Sequence, residues 1–87
     1  MIESIRHKGL RRFYETGSVA GIRPPHARRL RLLLAALDTA TRIEDMDVPG
    51  FRLHPLRGDR EGRWSIWRLT FELQHGSVHL LDYEDYH

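Results

Sequence analysis

The chain has 87 residues, no cysteine, and a net charge of +2 from 14 Lys/Arg and 12 Asp/Glu. So short a chain buries a modest share of its surface, which leaves no room for two lobes with a deep cleft between them. Without cysteine it has no disulfide, no thiolate nucleophile and no Cys-ligated zinc, and it suits a reducing cytosol.

The small net charge conceals an asymmetry. Residues 1–33 carry eight Lys/Arg against two Glu, whereas residues 34–87 carry six Arg against ten Asp/Glu. A basic first third fits a phosphate-rich partner, because each cation that meets a phosphate releases a counterion. Thirteen of the fourteen cations are Arg, whose planar fork grips phosphate bidentately. GC-rich coding sequence also favours Arg whatever the function, so charge alone leaves both readings open.

Taken in chain order, residues 1–7 read as an extended arm in which Ile2 and Ile5 can pack. This opening lacks the apolar run of a signal peptide, and the longest apolar stretch, Leu32 to Leu37, is far too short to span a bilayer. A cytoplasmic protein without membrane association is therefore expected. Lys8 to Glu15 suits a short helix, with Leu10, Phe13 and Tyr14 on one side and Gly17 placed to end it. Residues 18–23 form a loop. Pro24 and Pro25 fit the first turn of a longer helix, whose stripe Ala27, Leu30, Leu33, Leu34, Leu37 has a 3.6-residue period. Arg28, Arg29 and Arg31 lie off that stripe, and the helix should end near Ala40.

Beyond a turn-rich connection at 45–50 the pattern changes to strands. Phe51 to His54 alternates, and Pro55 confines this segment to an edge or a strand end. Residues 58–62 form a turn. Trp67, Leu69, Phe71 and Leu73 point one way and Arg68, Thr70, Glu72 and Gln74 the other. His75-Gly76 turns the chain into a last strand, Val78 to Tyr83. Residues 1–87 thus read as one domain of α+β class, two N-terminal helices packed on a small antiparallel sheet. A phase break interrupts the strand pattern: Trp64 and Ile66 have one parity, Trp67 to Leu73 the other. Residues 65–68 contain none of the usual turn residues. Either a bulge shifts the phase there or a hairpin is missing.

The C-terminal half holds the groups that phosphodiester cleavage needs. Attack by the RNA 2′-hydroxyl requires a base for its proton, a cation for the developing charge, and an acid for the leaving 5′-oxygen. His54 suits acid or base work, and Arg57 and Arg68 suit the phosphoryl charge. The closing Tyr83-Glu84-Asp85-Tyr86-His87 is dense in ionisable groups. Each has a plainer reading: His54 as a surface strand residue, Arg68 as a partner of Glu72, the last five as a frayed tail. Trp64 and Trp67 can stack bases, but at strand spacing they suit the core better. The six His show no metal-ligand spacing, so no metal or other cofactor is expected.

A family resemblance adds to this reading. Arg-Leu-His-Pro-Leu-Arg-Gly-Asp-Arg (52–60) resembles the signature LHPLKGD of HigB-type toxins, in the RelE/ParE superfamily of type II toxin–antitoxin systems. Gly62 to Ile66, Trp67 to Phe71 and Asp82 to His87 resemble that family's GxWSI, WRITF and DYEDYH segments. His7-Lys8-Gly9-Leu10 and Leu37-Asp38-Thr39-Ala40 are similar as well, so the likeness runs nearly end to end. It implies a RelE-like fold and metal-independent endoribonuclease activity on mRNA in the ribosomal A site. It also implies neutralisation by a helix-turn-helix, HigA-like antitoxin, with operator DNA bound only through the antitoxin complex. By motif it assigns cleavage to His54, Asp85, Tyr86 and His87, with Arg57 in place of the Lys of PLKG and Arg68 as a phosphate ligand. The chain departs from the family between Ile66 and Trp67, where about five residues of a hairpin are expected. That departure coincides with the phase break and puts registry near Arg68, and hence activity, in question. Three other functions compete: a ParE-like toxin acting on DNA gyrase without cutting RNA, an attenuated homologue that only binds antitoxin, and a small nucleic-acid-binding regulator. The terminal Asp85-Tyr86-His87 cluster has no evident use in the first.

Overall fold

The computed structural model describes residues 1–84. Helix α1 spans Lys8–Thr16. Its first turn is capped by His7, whose Nδ1 accepts the Leu10 N–H at 3.0 Å, and it ends at Gly17, whose φ of 81° suits a residue without Cβ. A turn of 3₁₀ helix, Pro24–His26, leads into α2, Ala27–Thr39. All five stripe residues of α2 are buried, as the periodicity predicts. Between α1 and α2 the loop crosses the first turn of α1 backbone to backbone. A Cβ on Gly9 would lie 2.0 Å from the Gly21 carbonyl oxygen, so neither position has space for a side chain.

The connection to the sheet holds a further 3₁₀ turn, Ile43–Met46, which begins before the residue 45 expected from sequence. The Asp45 carboxylate organises it by accepting the backbone N–H groups of Thr41 and Arg42 at 3.0 and 3.1 Å. These bonds to Thr41 first, then Arg42, hold its pKa below the ordinary carboxylate value.

The sheet is an antiparallel meander in the order β1-β2-β3-β4, with β1 at His54–Pro55, β2 at Trp64–Ile66, β3 at Leu69–Gln74 and β4 at Ser77–Tyr83. Two sequence expectations are corrected here. Phe51 to His54 is not a strand: only His54 and Pro55 pair with β2, because Arg52 turns into left-handed backbone at φ 59°. Trp67 and Arg68 are not strand residues either. They form the two-residue turn of a complete β2–β3 hairpin, closed by the Ile66–Leu69 pair. The phase break therefore marks a turn, one that uses Trp67 at φ 48° where glycine is usual. The Trp67 N–H donates to the Phe51 carbonyl at 3.0 Å. The β3–β4 turn follows the expected His75-Gly76, with both residues at positive φ.

Opposite Phe71 the register of β3 and β4 shifts, and Leu80 adopts a φ of 53°. This bulge lets Val78 and Leu81, three apart, both point inward, while Leu80 stays exposed. The outer edge of β4 is covered by the N-terminal arm in parallel. Glu3 and Arg6 donate to the carbonyls of Val78 and Leu81 at 2.7 Å each. An edge so covered is closed to pairing with other chains. Helix and sheet residues share one core, including Leu10, Leu30, Leu33, Leu37, Ile66, Leu69, Phe71 and Leu81, each 0% exposed. The antiparallel sheet and two helices give the expected α+β arrangement. No helix among the described residues is long and apolar enough to cross a membrane.

Candidate active site

Strand register sets the outer face of the sheet. Because His54 pairs with Ser65, Ser65 with Thr70, and Thr70 with Asp82, these four residues form one row across all four strands. The alternate positions, Ile66, Leu69 and Tyr83, face the core. Alternation of side chains along each strand therefore places a polar row on the face turned away from the helices.

His54 is exposed at one end of this row, and its Nδ1 lies 2.9 Å from the Arg52 carbonyl. A carbonyl only accepts, so Nδ1 carries the hydrogen. The neutral ring then keeps its lone pair on Nε2, the arrangement a general base requires. His54 lines a hollow of about 280 Å³ with Leu56, Arg60, Ser65, Trp67, Arg68, Thr70 and Glu84. Two of the walls are guanidinium groups and one is a carboxylate. Glu84 accepts from Arg60 and, at 2.5 Å, from the Thr70 hydroxyl. Arg68 owes its place to the tight turn, and its guanidinium carbon lies 5.5 Å from the centre of the Trp67 ring. The same ring meets the edge of His26 at 4.9 Å and Arg29 of α2 at 5.3 Å. Contacts of this kind hold an arginine at its position for modest energy.

The structure thus brings together two of the residues singled out from sequence, His54 and Arg68. It does not bring Arg57 to them. Arg57 lines a separate hollow of about 410 Å³ with Arg63 and Trp64, on the far side of Leu56. Asp85, Tyr86 and His87 lie outside the described residues, although Glu84, the last of those described, is a wall of the His54 hollow. Trp64 and Trp67 pack on the margin of the core, half-buried, instead of inside it. Sequence reasoning missed Arg60, which it treated as part of a turn, and Glu84, which it treated as part of a tail. The signal for both was their charge beside motif residues, at 58–60 and 82–87. Among the described residues, no group of three or more His, Asp or Glu is gathered as a metal site would need.

A meander sheet with two helices on one face and a cation-lined polar row on the other defines a small protein of the RelE-like toxin class. Residues 3–87 match the HigB-like toxin family, described as RelE-like toxins of the type II toxin–antitoxin system HigB, and the chain belongs to that family. It is 45% identical to Endoribonuclease HigB of Proteus vulgaris, over 92 positions that cover the whole of both chains. With 87 residues here, five of those positions have no counterpart in this chain.

Proposed function

We propose that this toxin is an endoribonuclease that cleaves mRNA on the ribosome, with the outer face of the sheet as its active surface. The observation that carries the proposal is the His54 imidazole, oriented by the Arg52 carbonyl and set in one hollow with Arg60 and Arg68. In the proposed step His54 takes the proton of an RNA 2′-hydroxyl through Nε2. The 2′-oxygen bonds to phosphorus as the bond to the 5′-oxygen breaks, leaving a 2′,3′-cyclic phosphate. Arg68 stabilises the charge on the phosphoryl oxygens. Tyr86 and His87, joined to the site wall through Glu84 and Asp85, are the candidates to protonate the departing 5′-oxygen. Arg57, across Leu56, serves a neighbouring phosphate. The reaction needs a base, a cation and an acid, and side chains supply all three.

The partners in this reading are the ribosome with its mRNA and a HigA-like antitoxin, through which alone the toxin meets operator DNA. The cytoplasm, where ribosomes are, is the site of action. A gyrase-directed role gains no support from the geometry, since a toxin that does not cut RNA has no use for an oriented imidazole among cations. The attenuated reading is weakened by the hairpin itself. Although short, it is complete and carries Arg68 into the His54 hollow. The test is His54→Ala. Its induction should no longer arrest growth or cleave mRNA, with circular dichroism unchanged. A variant that remains fully toxic would remove His54 from the mechanism.

A further inference from the structure

Glu84 takes no part in the step proposed above, yet it joins several segments of the outer face. Its side chain is 16% exposed. Its carboxylate accepts from the Thr70 hydroxyl at 2.5 Å and from the Arg60 guanidinium, and its backbone N–H donates to the Arg68 carbonyl at 2.8 Å. Thr70 is 5% exposed and itself accepts from Arg63 at 3.2 Å. Three segments therefore meet at one residue: a short 3₁₀ turn, Gly58–Arg60, that carries Arg60, the tight turn that carries Arg68, and the start of β3 at Thr70. The same residue directly follows Tyr83, the last residue of β4.

A carboxylate that accepts from both a guanidinium and a buried hydroxyl is held in place from two sides. Charge-assisted bonds of this kind fix geometry more effectively than neutral ones. Thr70 matters because pairing holds it from both sides, with Ser65 on β2 and Asp82 on β4. Its hydroxyl gives Glu84 a reference point on a buried, doubly paired strand residue.

We propose that Glu84, held by Thr70, is a positioning residue for RNA cleavage. It fixes Arg60 at the hollow and ties the turn that carries Arg68 to the same point through its backbone N–H. The inference rests on the endonuclease reading and adds two residues to it, neither of which touches the reacting atoms. The plainer account is that Thr70 and Glu84 merely satisfy each other's polar groups. That account predicts a loss of thermal stability and nothing else. Positioning predicts a loss of turnover in protein that is fully folded.

The experiment compares Thr70→Val, which keeps the buried shape, Thr70→Ser, which restores the hydroxyl, and Glu84→Gln. Cleavage of ribosome-bound mRNA is followed well below each variant's melting temperature. We expect kcat to fall roughly tenfold to a hundredfold in Thr70→Val and Glu84→Gln, the scale of a misplaced catalytic group. KM should stay within about twofold. Thr70→Ser should regain most of the turnover, and the double variant should be no worse than Glu84→Gln alone, because Thr70 acts through Glu84. If Glu84→Gln does not fold, Thr70→Val and Thr70→Ser carry the comparison. Wild-type kcat in folded Thr70→Val and Glu84→Gln, with His54→Ala inactive, overturns the positioning role and leaves the nuclease reading intact. A fully active His54→Ala overturns the nuclease reading itself.

Discussion

Replacing Gly9 with Ala sets two physical effects of opposite sign against each other. In a helix Ala is preferred to Gly by at most about 1 kcal/mol, so helix propensity alone predicts a more stable protein. Packing predicts the reverse. The new methyl would sit 2.0 Å from the Gly21 carbonyl oxygen, and relief requires the loop to retreat by more than an ångström. What it meets is backbone, which no rotamer change can move aside. The loop is also anchored by Ile22, which is 8% exposed in the core, so a retreat withdraws a buried side chain. Overpacking of this kind costs about 1–3 kcal/mol, and a rigid neighbour places the cost near the top of that range. The net expectation is a loss of about 2 kcal/mol, or a fall in Tm on the order of 10 °C for a domain of this size. Thermal unfolding by circular dichroism measures it, with exposed Lys8→Ala as the comparator expected within about 0.5 kcal/mol of wild type. A Gly9→Ala protein that melts at or above the wild-type temperature would refute the reasoning.

Three further outcomes are expected. Arg68→Ala should lower the rate of mRNA cleavage roughly a hundredfold, the usual scale for losing one electrostatic donor, and a change under about threefold would mark Arg68 as structural. Deleting Tyr86 and His87 should abolish cleavage while folding and antitoxin binding persist, since β4 is untouched; normal cleavage by the truncated toxin would exclude both from the chemistry. Asp45 gives a pH signature. Its pKa is lowered in the folded state by the N–H groups of Thr41 and Arg42, so its stabilisation is present above the unfolded value of about 3.9 and disappears as pH falls through the folded one. In urea titrations the stability gap between wild type and Asp45→Asn should therefore close on acidification, and a gap independent of pH would contradict the assignment.

Where local periodicity decides structure, the sequence was a sufficient guide. The α2 stripe, the Gly17 helix end, the His75-Gly76 turn and the last strand follow from spacing and from residues that tolerate positive φ. The β2–β3 turn was legible only as a discontinuity. Its first central residue is Trp67, for which left-handed backbone costs about 1–2 kcal/mol, and no local rule nominates tryptophan there. The compensation is tertiary: the ring gains contacts with His26, Arg29 and Arg68, from a helix far away in sequence and from its own neighbour. Leu80 hides its bulge for the same reason, since only the partner strand reveals the shifted register. At the site, residue chemistry nominated His54 and Arg68, which line one hollow, but not that Arg57 lines a different one, with Leu56 common to both. Glu84 resembled tail residues until strand pairing carried it beside Thr70.

The parallel pairing of the arm with β4 sets Ile2 against Val78 and Ile5 against Leu81. The Leu80 N–H donates to the Ser4 hydroxyl at 2.8 Å across 76 positions of chain. Most of the sheet grows by neighbour-to-neighbour hairpins, which close quickly, whereas this contact closes a loop of almost the full length and comes late in folding. Until that loop closes, the outer edge of β4 is open to pairing with other chains, so docking of the arm is the step that seals the sheet.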